Sequence, residues 1–363
     1  MNARRLAGIL LTVLVGAVVL GVPLWRAGSG AGGAPEQGAP PLADQADEEK
    51  AASGRGVASA PFRPENLAPL PALDTPLRQV VGELERRAAA GDSSAACRLA
   101  AEFERCEQLR FKLGAMQAAR GEMRAMVERE PLGAQARDAF AGRMEEYDRM
   151  LAGAADEFAH CDGMARTGGA QRARHWRNAA LAGHPVALRH YAIGNAFRFN
   201  DLLDAVPELA IYRQEAEAMA RRAATGGDLA MLHALAMAYL PVEDSGPDLA
   251  RMGHRTFLAQ TVAPDAEQAL ALLFALERHP VMRGLPVDHP VREASDRERE
   301  RLVGRLGPAA IGAASAAADA WTRTWSPTRE DPAAMGILVG GALRDVRREQ
   351  CGPVLMDQGG ADG

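Results

Sequence analysis

His160, Cys161 and Asp162 are consecutive and include the residue types of a thiol nucleophile with its general base. Catalysis needs the base within hydrogen-bond reach of the sulfur, and neighbours on a helix point in different directions, so this trio cannot form a working pair. His175, His184 and His190 are close in sequence, but no two are four residues apart and no acidic ligand accompanies them. That is not the spacing of a metal site. His279 and His289 flank the proline-rich stretch from Pro280 to Pro290 and are expected to face solvent. Gly28, Gly30 and Gly33 match GxGxxG, whose glycines let a backbone approach a pyrophosphate. The motif has that meaning only between a strand and a helix, and here prolines follow it. The sequence contains no GxSxG, no HExxH and no P-loop lysine. No cofactor, metal or small-molecule substrate is therefore predicted, and the chain reads as non-catalytic. The competing reading is a cell-envelope hydrolase whose site gathers distant His, Asp and Glu side chains.

The 363 residues include 42 basic and 47 acidic side chains, a formal charge of −5. A partner of nucleic acid normally leans the other way, so none is expected. Hydrophobic residues make up 47% of the chain and aromatics only 5%, the composition of packed helices and not of sheets. Lys50 and Lys112 are the only lysines, so the arginines record coding bias more than guanidinium chemistry. Leu6 to Trp25 is an uncharged stretch of 20 residues. At 1.5 Å per residue it can span a bilayer core of roughly 30 Å. Arg4 and Arg5 precede it, which places residue 1 in the cytoplasm and the bulk outside. A cleaved signal peptide is the other reading, with Gly21 and Pro23 ending a shorter apolar core before small residues from Ala27 to Ala31. The expected place is the bacterial inner membrane with the bulk periplasmic or, after cleavage, the periplasm or the medium. Residues 27–75 are rich in Gly, Ala and Pro, carry an acidic run from Asp44 to Glu49, and are expected to form a disordered tether. Residues 357–363 are expected to be a frayed tail.

From residue 76 to 356 the pattern is that of an all-α domain. Thr75 and Pro76 supply a cap and a first-turn proline, and Leu77, Val80, Val81 and Leu84 recur at helical spacing before Gly91. A local pattern then returns three times, around Gly91, Gly183 and Gly227. In each copy small alanines end one helix, the glycine takes a left-handed cap, and a short polar turn starts a second helix packed closely on the first. Leu99, Tyr191 and Ala236 lie in those second helices. Gly183 and Gly227 are 44 residues apart. That spacing suits helix-pair repeats, which stack because one pair cannot bury its apolar face alone. The segments Arg177 to Ala187 and Arg221 to Ala230 resemble the AAxxGxxxA turn of Sel-one-like repeats, relatives of the tetratricopeptide repeat. The Gly91 turn matches in part, with Arg87 at the first alanine, and Asp265 to Ala269 resembles the start of another unit. The resemblance implies an α-solenoid of helical hairpins whose surfaces hold partner proteins, and it implies no catalysis.

Residues 107–160 read as an inserted long antiparallel helical hairpin. Cys106, Leu109, Leu113, Met116, Met123 and Val127 follow a 3,4 spacing with Arg120 at the remaining place. Phe140, Met144, Tyr147, Leu151, Ala154, Phe158 and Cys161 follow the mirrored one. Pro131, Leu132 and Gly133 break the helix between them. A turn centred near residue 133 faces Val127 with Phe140, Met123 with Met144, Arg120 with Tyr147, Met116 with Leu151, Leu113 with Ala154 and Leu109 with Phe158. The next pair down is Cys106 with Cys161. Disulfides persist outside the cytoplasm, and this one would close a loop of about 55 residues. Two buried free thiols are the alternative. No register joins Cys97 to Cys351, and whether they pair is left open. Cys97 and Cys106 within one helix would be about 13 Å apart and cannot bond. Asp296 to Arg301 alternates charge and reads as a solvated, self-paired helix start. Met116, Met123, Met126, Met144 and Met150 enrich the hairpin in thioethers, most of them at core positions. Trp321 and Trp325 read as a packing pair. The function expected from these features is a membrane-tethered periplasmic scaffold or adaptor for protein partners the sequence does not identify. A purely structural envelope role is the third reading.

Overall fold

The computed structural model describes residues 69–129, 133–241, 256–323, 325 and 346–352, all within the unit Ala60–Gly363. Leu6 and Trp25 of the expected membrane span, most of the tether and the C-terminal tail lie outside the described residues. Among the described residues no helix is long and apolar enough to cross a membrane, and there is no strand. The helices are α1 (Leu77–Ala89), α2 (Ser93–Arg129), α3 (Ala134–Ala159), α4 (Gly169–Leu181), α5 (Pro185–Ile193), α6 (Val206–Thr225), α7 (Leu229–Tyr239), α8 (Ala266–Arg278), α9 (Pro280–Gly284), α10 (Pro290–Val303) and α11 (Pro308–Arg323). Short 3-10 turns occupy Phe199–Ala205, Leu258–Gln260 and Arg348–Cys351.

The three glycine corners share one geometry. Gly91, Gly183 and Gly227 adopt φ of +94°, +89° and +87°. The residue after each glycine donates its N–H five residues back, Asp92 to Arg87 O at 3.0 Å, His184 to Ala179 O at 3.2 Å and Asp228 to Ala223 O at 3.2 Å. Each glycine N–H bonds three residues back, as in a Schellman cap. A side chain at these positions would face the left-handed penalty of roughly 1–2 kcal/mol. The partial match at the first corner has a physical reason: Arg87 Nε donates to Asp92 at 2.7 Å while Asp92 Oδ1 accepts from Ala95 N at 3.1 Å. The arginine thus holds the carboxylate that caps α2. A fourth left-handed glycine, Gly194, ends α5 in the same way.

Helix α1 begins one residue later than the cap at Thr75 implied. Pro76 is extended, with ψ of 134°, and Leu77 N donates to His160 O at 2.9 Å, so a tertiary bond fixes the start. Helices next to each other in the chain pack together over much of the fold, α1 on α2, α2 on α3, α4 on α5, α5 on α6, α6 on α7 and α7 on α8, while α4 packs on α2 across the hairpin. α10 and α11 cover α8, while α4 also touches α6 and α5 touches α7. Alanine allows this closeness, for Ala179, Ala180, Ala187, Ala192, Ala216, Ala220 and Ala224 are fully buried. Trp176, Tyr191, Phe197 and Tyr212 fill the space between α4, α5 and α6. A second cluster gathers Leu77, Leu84, Leu99 and Phe103 between α1 and α2.

Helix α2 is a single rod of 37 residues with two environments. From Ala95 to Glu104 every residue is buried, because α1 and α4 pack on it. Beyond Arg110, among the described residues, α3 covers it, and the half-buried residues are Leu113, Met116, Arg120, Met123 and Val127 with Ala119 and Ala125 beside them. Across the seam Arg120 Nη2 donates to Asp148 at 2.9 Å, Tyr147 Oη donates to Met116 O at 3.1 Å, and Lys112 pairs with Glu157 at 3.7 Å. At the base Cys106 and Cys161 form a disulfide with Cα atoms 5.6 Å apart. Cys97 and Cys351 form a second, with Cα atoms 5.4 Å apart.

Candidate functional site

Glu102 and Glu104 are buried carboxylates two residues apart on α2, and distant segments neutralise both. Glu102 accepts from Arg98 Nε at 2.6 Å, lies 3.0 Å from His160 Nε2 and 3.4 Å from Arg348 Nη1. His160 adjoins one disulfide and Arg348 lies three residues from the other, so each bridge delivers one member of the cluster. Burial alone would raise the Glu102 carboxyl, but the His160 hydrogen bond and the Arg98 charge hold it below its ordinary value. Glu104 accepts from Trp176 Nε1 at 2.8 Å, pairs with Arg198, and lies 3.2 Å from His190 Nε2. Burial again pushes upward, and His190 and Arg198 overcome it, bringing this carboxyl down to about 2.

Glu104 is also the floor of a cleft of about 530 Å³ between α2, the Arg166–Gly168 loop, the start of α4 and the 3-10 turn Phe199–Ala205. This cleft is the candidate functional site. Its far wall is built by a tight helix start. Arg172 Nη1 and Nη2 grip Asp201 at 2.6 and 2.7 Å, while Arg172 Nε donates to Ala196 O at 3.1 Å. Gly169 N donates to Asp204 at 2.9 Å, placing a carboxylate at the amino end of α4. At Gly169 a Cβ would sit 2.7 Å from the backbone Asp201 O, which favours glycine, and one on Gly168 would sit 2.5 Å from the Asp204 carboxylate and displace it. On the near wall Glu107 pairs with Arg110 and accepts from Thr167 N at 2.8 Å. Phe111 lines the mouth with 68% of its surface exposed. Beside Asn200 and Asp204, which line the cleft, Phe199 and Leu203 are 94% and 90% exposed.

The structure does not bring His175, His184 and His190 to one point. His175 stacks on Phe103 at 4.7 Å, His190 stacks on Trp176 at 4.1 Å, and His184 Nε2 reaches Gly352 O at 3.5 Å. Burial lowers His175 and His184 to about 4. Among the described residues no group of three His, Cys, Asp or Glu side chains is placed to hold a metal. Cys161 is held in its disulfide, and its neighbour His160 faces Glu102.

His279 corrects the expectation of a solvent-facing side chain. It is buried, donates from Nε2 to Gly227 O at 3.2 Å, accepts from Val281 N at 3.3 Å, and stacks on Trp325 at 5.0 Å. The ring therefore joins the Gly227 corner to the start of α9. His289 is half-buried and caps α10 through Val291 N at 3.3 Å. The alternating run Asp296 to Arg301 lies within α10, past its first turn, and is not wholly solvated. Glu298 is buried and pairs with Arg301 at 2.6 Å, and Arg299 reaches Glu277 on α8 at 2.7 Å. Of the methionines on the hairpin, Met126 and Met150 are exposed and Met116, Met123 and Met144 half-buried along the seam.

The residues of the cleft carry little local sequence signal, because apart from the Glu107–Arg110 pair their partners lie 24 to 94 positions away. The adjacent Gly168 and Gly169 before a helix were the one visible hint. No protein-family model, no curated protein and no solved structure matches this chain.

Proposed function

We propose that this protein is a membrane-tethered extracytoplasmic scaffold that holds other proteins on a stack of Sel-one-like helical hairpins and performs no catalysis. The observation that carries the reading is the exposure of Phe111, Phe199 and Leu203 at and beside one polar cleft. Single exposed apolar residues are ordinary. Two nearly bare ones within five positions, next to a cleft lined by a third, mark a surface that a partner covers.

The order of packing supports the α-solenoid reading. From α4 to α8 each helix packs on the next in the chain, and first helices meet first helices through Arg177 with Glu215 at 2.6 Å and Arg221 with Gln268. The two disulfides fit an oxidising compartment, which agrees with export by the Leu6 to Trp25 segment. A tether would raise the local concentration of the binding face at the membrane. The hydrolase reading finds less support: the Glu104–His190 pair faces the indole of Trp176 and, among the described residues, has no Ser, Thr or Cys as a hydrogen-bond partner.

The test is crosslinking followed by capture from membranes, with the full chain, with a variant lacking residues 1–75, and with Phe199→Ser/Leu203→Ser. A scaffold retains a defined set of partners when untethered and loses them in the double variant. Capture of nothing by the full chain under crosslinking would overturn the proposal.

A further inference from the structure

The C-terminal stretch meets all three glycine corners. Trp325 lies over Gly227, on which a Cβ would touch its ring at 3.2 Å. Gly352 O accepts from Ser94 Oγ at 3.3 Å, just past the Gly91 corner, and lies 3.5 Å from His184 Nε2, just past the Gly183 corner. The turn Arg348–Cys351 packs on α2, where Arg348 Nη1 lies 3.0 Å from His160 Nε2 and 3.4 Å from Glu102. Within residues 346–352 only Cys351 is buried, Arg347 and Glu349 are exposed, and the rest are half-buried. This strap is a thin layer whose deepest anchor is its own disulfide.

The two bridges differ in what must move before a thiol can reach them. All four cysteines are buried, so each bridge is attacked only after a local opening. Cys106 lies within the 37-residue α2 and Cys161 follows α3. Around that bridge Leu77 N donates to His160 O at 2.9 Å, Arg110 Nη2 to Met164 O at 3.0 Å and Thr167 N to Glu107 at 2.8 Å. Opening it parts the base of the hairpin from α1 and α2. Cys351, by contrast, is bared when residues 346–352 lift, and helices α1 to α11 stay in place. That movement breaks the Arg348 and Gly352 contacts and exposes little apolar surface, which makes it the easier opening.

We propose that Cys97–Cys351 is a redox latch opened by a dithiol: reduction frees residues 346–352 from α2 and uncovers the Gly91 and Gly183 corners, while Cys106–Cys161 stays closed. A thiolate of the dithiol attacks Cys351 Sγ, forming a mixed disulfide and releasing Cys97 as a thiolate that takes up a proton. The dithiol's second sulfur then attacks the mixed bond, leaving Cys351 as a thiol and the reductant as a disulfide. Two electrons and two protons pass to the protein. The face laid open is polar, since Glu102 and His160 lose Arg348 while Ser94 and His184 lose Gly352 O. The latch is a contact of the chain with itself and does not depend on the scaffold reading.

The experiment exposes the full chain in detergent to dithiothreitol, alkylates free thiols with iodoacetamide at intervals and maps the modified cysteines by mass. Cys97 and Cys351 should be alkylated roughly tenfold faster than Cys106 and Cys161 or more, with the helical circular dichroism unchanged. Amide exchange in the reduced protein should rise at the starts of α2 and α5, beneath the strap, and not along the hairpin, and reoxidation should reverse it. Arg348→Ala removes the hold on Glu102 and His160, and should speed reduction of Cys97–Cys351 roughly threefold or more while leaving Cys106–Cys161 unchanged. Four thiols appearing together, reduction only with loss of the helical signal, unchanged exchange after reduction, or a native rate in Arg348→Ala would each overturn the latch.

Discussion

Three His-Pro-Val triplets, at His184, His279 and His289, each open a helix. The proline forces the preceding histidine into extended backbone, with ψ of 121°, 131° and 127°, and its fixed φ suits the first helical position. In the last two copies the imidazole Nδ1 then accepts from the valine N–H, doing the work of a Ser or Asp cap. The triplet was legible, since it occurs three times, but its burial was not. What buries His279 is Trp325, brought from 46 positions away to lie over both the ring and Gly227. The corner glycine is therefore doubly constrained. A Cβ on Gly227 would meet the Trp325 ring at 3.2 Å, and its φ of +87° disfavours any side chain. Gly227→Ala should cost about 1–3 kcal/mol, the left-handed penalty plus the clash. Gly114→Ala, on the open face of α2 with nothing within 4 Å, should instead stabilise by about 0.5–1 kcal/mol. Urea unfolding of the two variants checks the opposite signs. Trp176→Phe keeps the ring but removes the donor to the buried Glu104 carboxylate, and should cost about 1.5–3 kcal/mol by the same measurement.

At the scale of elements, the long hairpin was readable because its two stripes repeat at 3,4 spacing and mirror each other about residue 133. The seam in the structure keeps that register, with Arg120 bonded to Asp148, the neighbour of Tyr147, Tyr147 bonded to Met116 O one turn along, and Cys106 joined to Cys161. The Cys97–Cys351 bridge was not readable, because it joins positions 254 residues apart with no shared periodicity. It pins the 3-10 turn Arg348–Cys351 onto α2 and so completes the Glu102 cluster. In the chain-entropy account the shorter bridge stabilises by roughly 4 kcal/mol and the longer by roughly 5 kcal/mol, both upper values because native strain subtracts. Cys106→Ala/Cys161→Ala and Cys97→Ala/Cys351→Ala should each lower the urea midpoint. Only the second should also raise the accessibility of Glu102, read as faster amide exchange along α2 between residues 97 and 104. Equal exchange in the two variants would contradict the pinning of Arg348–Cys351 onto α2.

For the whole molecule, buried histidines set the response to acid. His175, His184 and His233 are held near 4 by burial, and His279 is lowered for the same reason. The unfolded chain takes up these protons near pH 6.5, before the folded one does, so stability is full above that value and falls between about 6.5 and 4. Each of the three held near 4 contributes up to about 3 kcal/mol to that loss, and His279 adds to it in the same direction. Glu104 adds to it lower down. Its carboxyl is at about 2 when folded against an ordinary 4.5, so its contribution is present above 4.5 and lost as pH falls toward 2. Denaturant midpoints from pH 8 to pH 3 should therefore decline first below about 6.5, and a flat profile from pH 7 to pH 5 would contradict the burial of these rings.

The amino-acid sequence by itself determined what depends on neighbours a few positions apart: helices from apolar spacing, corners from left-handed glycines, and the hairpin register from two mirrored stripes. Those signals are local because backbone dihedrals and the 3.6-residue period are local. Only the tertiary structure decided which side chains share the cleft, since Glu104, Arg166, Arg172, Arg198 and Asp201 come from separate elements and meet only when α2 and α4 pack. It likewise decided that Trp325 buries His279 and that Cys351 reaches Cys97. Such contacts come from how buried surfaces close on one another, and no spacing within a single element encodes them.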